Sequence, residues 1–149
     1  MPTPPPTSSL TVRKIVPCSP EVAFRQWTDP QSMATWFAPD PAMTTEAKID
    51  LRPGGKYTIG FKPPGGAPAM VVGGEYLAVE PPHRLVYTWI WTKESDPDWN
   101  DRTVVTVEFK AAGPHQTEMI LTHDKFSTPE SRDHHEQGWT AIMGRIPAQ

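Results

Sequence analysis

Cysteine is almost absent from this chain, Cys18 being the only one. An internal disulfide is therefore excluded. With no CxxC or Cys/His spacing there is also no zinc framework, so a reducing, cytoplasmic setting is expected. Long apolar runs are missing too: nowhere do 18 consecutive apolar residues occur. The opening MPTPPPTSSL has no positive stretch leading into an apolar one. Neither membrane insertion nor export is expected. Lys and Arg do not cluster, and the net charge is -3, which leaves no footprint for a phosphate backbone and argues against a nucleic-acid partner. The GxSxG elbow and the HExxH helix are lacking as well, so no catalytic residue, metal ligand or cofactor is assigned. His123, Asp124, Glu130, His134 and His135 stand close in sequence, but adjacent histidines on a helix point apart. Cys18 beside a helix start is only a faint signal of a reactive thiol.

Proline and tryptophan are plentiful instead. The 19 prolines in 149 residues are more than twice the usual share of about 5%. Four of them fall within the first six residues, so residues 1–8 read as a flexible tail and 9–149 as one domain of ordinary size. Most of the others lie at Pro-Pro, Pro-Gly or Asp-Pro boundaries between apolar runs, where they punctuate structure.

Leu10–Val16 is β-rich and stops before Pro17. Ser19-Pro20-Glu21 then gives a cap, a proline suited to a first helical position and an acid at the positive end of a helix. Asp29-Pro30 repeats the pattern, with Met33, Trp36 and Phe37 at i, i+3, i+4, so two short helices are expected. Six strands follow: Thr44–Ile49, Lys56–Phe61, Met70–Val79, Arg84–Thr92, Thr103–Lys110 and Thr117–Asp124. Most are joined by too few residues for anything but antiparallel hairpins. Gly73-Gly74 inside a strand suggests a bulge or a tight bend, which is how a sheet curves. A last helix is capped by Ser127 or Thr128, carries Trp139, Ile142, Met143 and Ile146 on one stripe with His135 and Arg132 further back, and stops at Pro147. Gly138 is expected to let its backbone approach a neighbour closely. A sheet and an amphipathic helix of this kind must bury one face against the other, so the fold class is α+β.

Val22-Ala23-Phe24, Trp36-Phe37, Asp50-Leu51-Arg52-Pro53-Gly54-Gly55, Gly74-Glu75-Tyr76-Leu77, Pro81-Pro82-His83-Arg84-Leu85, Leu121-Thr122-His123 and His135-Glu136-Gln137-Gly138-Trp139 follow in that order. In this the chain resembles the SRPBCC or START-like superfamily, and within it the bacterial domains similar to the activator of heat-shock-protein-90 ATPase. The resemblance implies a helix-grip fold, a curved antiparallel sheet wrapped around a long C-terminal helix, enclosing a hydrophobic cavity. It also implies ligand or lipid binding, or a role in the stress response through a chaperone partner.

Alternation turns Leu85, Tyr87, Trp89 and Trp91 to one face of their strand, and Met119, Leu121 and His123 to one face of theirs. The expected ligand-binding set is Trp36, Phe37, Phe61, Tyr87, Trp89, Trp91, Met119, Leu121, His123, His135, Trp139 and Met143. Two inward histidines, His123 and His135, would orient a ligand, bind a metal or satisfy one another. Arg52, Arg84 or Arg132 is a candidate cation near the mouth, and Glu94–Asp101 with Trp99 a candidate lid or cover for the sheet edge. The expected function is binding of a hydrophobic or amphipathic small molecule between sheet and helix, by a monomer or homodimer. A chaperone-ATPase co-regulator is one alternative. A cyclase, dehydratase or hydrolase using the same cavity is another.

Overall fold

Each of the three α-helices among the described residues begins in the same way, with a side-chain oxygen at the cap and a proline at the first position. The proline loses nothing there, because the first amide of a helix has no acceptor within it. Ser19 Oγ accepts from the Val22 amide at 3.3 Å and opens α1, Pro20–Gln26. Asp29 accepts from the Gln31 amide at 3.3 Å and opens α2, Pro30–Trp36. Thr128 Oγ1 accepts from the Ser131 amide at 3.1 Å and opens α3, Pro129–Met143. The structure is a computed structural model that describes residues 9–66, 68–92 and 102–146. The expected tail, the lid candidate around Trp99 and the stop at Pro147 lie outside the described residues.

Seven strands form one antiparallel sheet: β1 Ser9–Val16, β2 Thr44–Ile49, β3 Lys56–Lys62, β4 Met70–Glu80, β5 Arg84–Trp91, β6 Thr103–Gly113 and β7 Gln116–Asp124. Their spatial order is β1-β7-β6-β5-β4-β3-β2. Consecutive strands from β2 to β7 are neighbours, and only β1 joins out of sequence, pairing with β7 from Ser9 opposite Asp124 to Val16 opposite Thr117. Helices α1 and α2 therefore carry the chain from one edge of the sheet to the other. The sheet curls into a half-barrel and α3 lies in its concavity, the helix-grip arrangement.

The expected bulge at Gly73-Gly74 is not where the register shifts. The shift falls between Tyr76 and Ala78, and the glycine pair serves close approach instead. A Cβ on Gly74 would stand 2.3 Å from both the carbonyl oxygen and the Oγ1 of Thr88. That bare backbone lets Thr88 Oγ1 accept from the Glu75 amide at 2.9 Å, a side chain standing in for a ladder partner. Thr88→Val keeps the shape and leaves that amide unpaired. It is expected to cost about 1 kcal/mol or somewhat more in chemical denaturation, and an unchanged midpoint would contradict the assignment.

Two arginines fix α3 over the sheet. Arg132 Nε donates to the Ser9 carbonyl of β1 at 3.0 Å. Arg145, just beyond the helix end, donates to the Ala38 carbonyl after α2 at 2.9 Å. Trp139, Ile142, Met143 and Ile146 are buried as the stripe requires. The middle of the concavity is filled with rings: Trp27 packs against Trp36 and Phe37 at centroid distances of 5.1 and 5.5 Å, and Phe37 packs against Trp139 at 5.7 Å.

Candidate functional site

The rings do not fill the concavity to its end. Between the side of α3 facing β3–β5, the ends of those strands and the segment after α2, a cleft of about 530 Å³ remains. Its floor is Phe61, Met70, Trp89 and Trp91, and its roof is the α3 residues Ser131, His135, Gly138, Trp139 and Ile142, with Pro39 and Met43 at one side. Gly138 explains why the space persists. A Cβ placed there meets nothing within 4 Å, so the glycine does not bring the helix against a neighbour, as its position suggested; it leaves a side chain out of the roof.

Two histidines brace the floor to the roof, each accepting a hydrogen bond from a tryptophan, with their rings in edge contact at a centroid distance of 5.2 Å. Trp139 Nε1–H donates to His123 Nδ1 at 2.9 Å. The other ring nitrogen must therefore carry the proton, and it donates to Thr103 Oγ1 at 2.7 Å. Thr103 in turn donates to the Trp89 carbonyl at 2.8 Å. His135 has the opposite tautomer: Nδ1–H donates to the Ser131 carbonyl at 2.8 Å, and Nε2 accepts from Trp91 Nε1–H at 2.9 Å. A carbonyl oxygen can only accept and an indole N–H can only donate, which fixes both assignments. Burial, followed by the nearby His135, pushes the His123 pKa well below its ordinary value, so this ring is neutral. Phe126 packs against both imidazoles, 4.3 Å from the His123 ring and 5.0 Å from the His135 ring. It is placed there by a turn in which Lys125 adopts φ 73°.

Of the residues expected from the sequence, the structure brings Phe61, Trp89, Trp91, His135 and Trp139 to the cleft. Trp36, Phe37, Tyr87, Met119, Leu121, His123 and Met143 are buried in the packed core behind it. His123 has both ring nitrogens engaged and no exposed surface; it braces the wall and does not reach the cleft. Among the lining residues that sequence reasoning missed are Pro39, Met43, Met70, Ser131, Gln137 and Ala141. Met43 and Met70 stand just before and at the start of strands, where alternation carries little information.

The candidate cations are elsewhere. Arg52 pairs with Asp50 at 2.9 Å, Arg84 with Glu80 at 3.5 Å, and Arg132 with Asp133 and Glu136 at 2.8 and 2.9 Å. Burial raises the Cys18 pKa, which removes the suggestion of an activated thiol. Among the described residues no group of three or more His, Cys, Asp or Glu is placed to hold a metal ion, and no helix is long and apolar enough to cross a membrane. A second depression of about 670 Å³ lies on the outer face of β2–β5. It is rimmed by charged groups such as Lys48, Lys56 and Arg102, the last paired with Glu75 at 3.3 Å. The inner cleft, walled by buried aromatic rings with a few convergent polar groups, has the lining typical of small-molecule sites.

Fold and cleft together define a helix-grip protein with a ligand-sized space beneath its last helix. The chain belongs to the family described as activator of Hsp90 ATPase homolog 1-like protein, which matches residues 17–148. Solved structures agree in fold. One from Arthrobacter aurescens superposes with a TM-score of 0.80 at 18% identity, covering 94% of this chain and 84% of that one. Another from Rhodobacter sphaeroides has a TM-score of 0.78 at 23% identity, with 97% and 90% covered. An HSP90 activator from Plasmodium falciparum is 26% identical, with a TM-score of 0.70 and 93% of each chain covered. No match is found among curated proteins.

Proposed function

We propose that this protein binds a hydrophobic or amphipathic small molecule in the cleft between α3 and the β3–β5 end of the sheet. The carrying observation is the unfilled space of about 530 Å³ above Trp89 and Trp91, kept open by Gly138. Its size suits a drug-sized ligand. The apolar rings supply most of the attraction, through area removed from water.

Gly138 also supplies the test, because helix α3 gains from a side chain there whatever the cleft does. Gly138→Ala is expected to stabilise the protein by about 0.5 to 1 kcal/mol, read from denaturant midpoints. Gly138→Leu should fold as well as wild type and block the cleft. Native mass spectrometry and thermal shifts against neutral lipids and aromatic metabolites are expected to reveal ligands for wild type that the leucine variant no longer binds. Uniform failure with wild type, or equal binding by the variant, would remove this reading.

A second reading is supported by the similarity to the Plasmodium falciparum HSP90 activator: a cytoplasmic co-regulator that docks on a chaperone ATPase under stress. Addition of this protein to purified HSP90 should then raise ATP turnover. No change in turnover at saturating protein counts against it.

A further inference from the structure

The described residues include five tryptophans, and four of their indole nitrogens have partners. Trp27 donates to Met119 Sδ at 3.3 Å and Trp36 to the Gln26 carbonyl at 3.1 Å. Trp91 and Trp139 donate to the two histidines, both at 2.9 Å. Trp89 is the exception. Its ring is 3% exposed, and its Nε1 is buried with no hydrogen-bond partner among the described residues. A buried donor without an acceptor carries a desolvation cost that nothing among the described residues offsets. This tryptophan lines the cleft, in contact with Trp91 at a centroid distance of 5.6 Å and Trp139 at 4.9 Å.

The charge of the lining is a separate clue. No Lys or Arg among the described residues borders the cleft, whereas the exposed acid Glu130 does. A ligand carboxylate or phosphate entering here would lose its water and meet an acid in place of a cation. His134, exposed at the rim, and His135, held between Trp91 and Ser131, are the basic groups nearest.

We infer that the cleft selects an uncharged apolar molecule bearing a carbonyl-type oxygen, which accepts a hydrogen bond from Trp89 Nε1–H while the half-buried Trp91 ring moves aside to admit it. The inference rests on the small-molecule reading of the cleft and narrows it: ketones, esters or amides on an aromatic or alicyclic body are favoured over fatty acids and phospholipids. Relief of the unpaired donor gives the oxygen-bearing ligand its advantage over a hydrocarbon of the same shape. Glu130 turns the anion away.

Three probes of nearly equal size separate the possibilities: 2-acetylnaphthalene, 2-ethylnaphthalene and 2-naphthoate, titrated into the full-length protein by calorimetry or tryptophan fluorescence. The ketone is expected to bind about tenfold more tightly than the hydrocarbon, the worth of one such hydrogen bond, and the carboxylate no better than the hydrocarbon. In Trp89→Phe the preference for the ketone should vanish. Because that variant removes a buried ring, a second readout uses wild type alone: the Trp89 indole proton, assigned by triple-resonance NMR, should move downfield with the ketone and not with the hydrocarbon. Equal affinity for ketone and hydrocarbon, tightest binding of naphthoate, or a Trp89 indole proton indifferent to the ketone overturns the inference and leaves the cleft reading standing. Failure of all three probes to bind counts against the cleft reading as well.

Discussion

Trp139→Ala is expected to lower the unfolding free energy by about 3 to 5 kcal/mol, the range for truncating a large buried aromatic. Trp139 is the point at which α3 is fastened to the sheet. Its ring packs on Trp89 at 4.9 Å, Phe37 at 5.7 Å and Trp27 at 6.1 Å, so its loss opens a void among side chains that cannot collapse together. The same change takes away the donor that holds His123 Nδ1, and a buried acceptor without its donor adds to the cost. For a chain of this size the thermal midpoint should drop by roughly 10 °C. Urea denaturation with a slope equal to that of wild type would show that stability alone has changed. A loss below about 1 kcal/mol would mean that α3 does not pack as described.

Most of the fold was legible because its signals are local. A cap followed by proline marks all three helix starts at Ser19, Asp29 and Thr128. The turn residues bound the strands to within a few positions, β2 at both of its ends. The site was legible only in direction. Alternation along β5 says that Tyr87, Trp89 and Trp91 share a face, and they do; it carries no information on depth along that face. Depth is set by where α3 crosses, and α3 is drawn toward β1 by Arg132 and held after α2 by Arg145. Tyr87 therefore lies in packed core while Trp91, two positions on along the same face, stands at the cleft. The glycines show the same limit. Gly74 and Gly138 are both bare for the sake of space, yet one admits a threonine and the other leaves a cleft open. Which of these a glycine does depends on what the rest of the chain places opposite it.

The histidine brace makes stability depend on pH, and the dependence identifies His123. In the folded chain, burial and then the neighbouring His135 hold the His123 pKa well below its ordinary value near 6.5; unfolded, the ring titrates near that value. Below about pH 6.5 the unfolded chain therefore takes up a proton that the folded chain refuses. The stability that the neutral ring provides is fully present above that pH and is lost as pH falls toward the depressed folded pKa. The slope for one proton is at most about 1.4 kcal/mol per pH unit, so the loss between pH 6.5 and 5 is bounded at about 2 kcal/mol. Urea midpoints at pH 7.5, 6.0 and 5.0 measure the slope. His123→Asn keeps an oxygen able to accept from Trp139 and removes the titrating ring; it should be less stable than wild type at pH 7.5 yet lose about one proton's worth less on acidification. Parallel slopes for the two proteins, or a His123 ring proton that titrates near pH 6.5 in the folded state by NMR, would place this imidazole in water and not in the wall between α3 and the sheet.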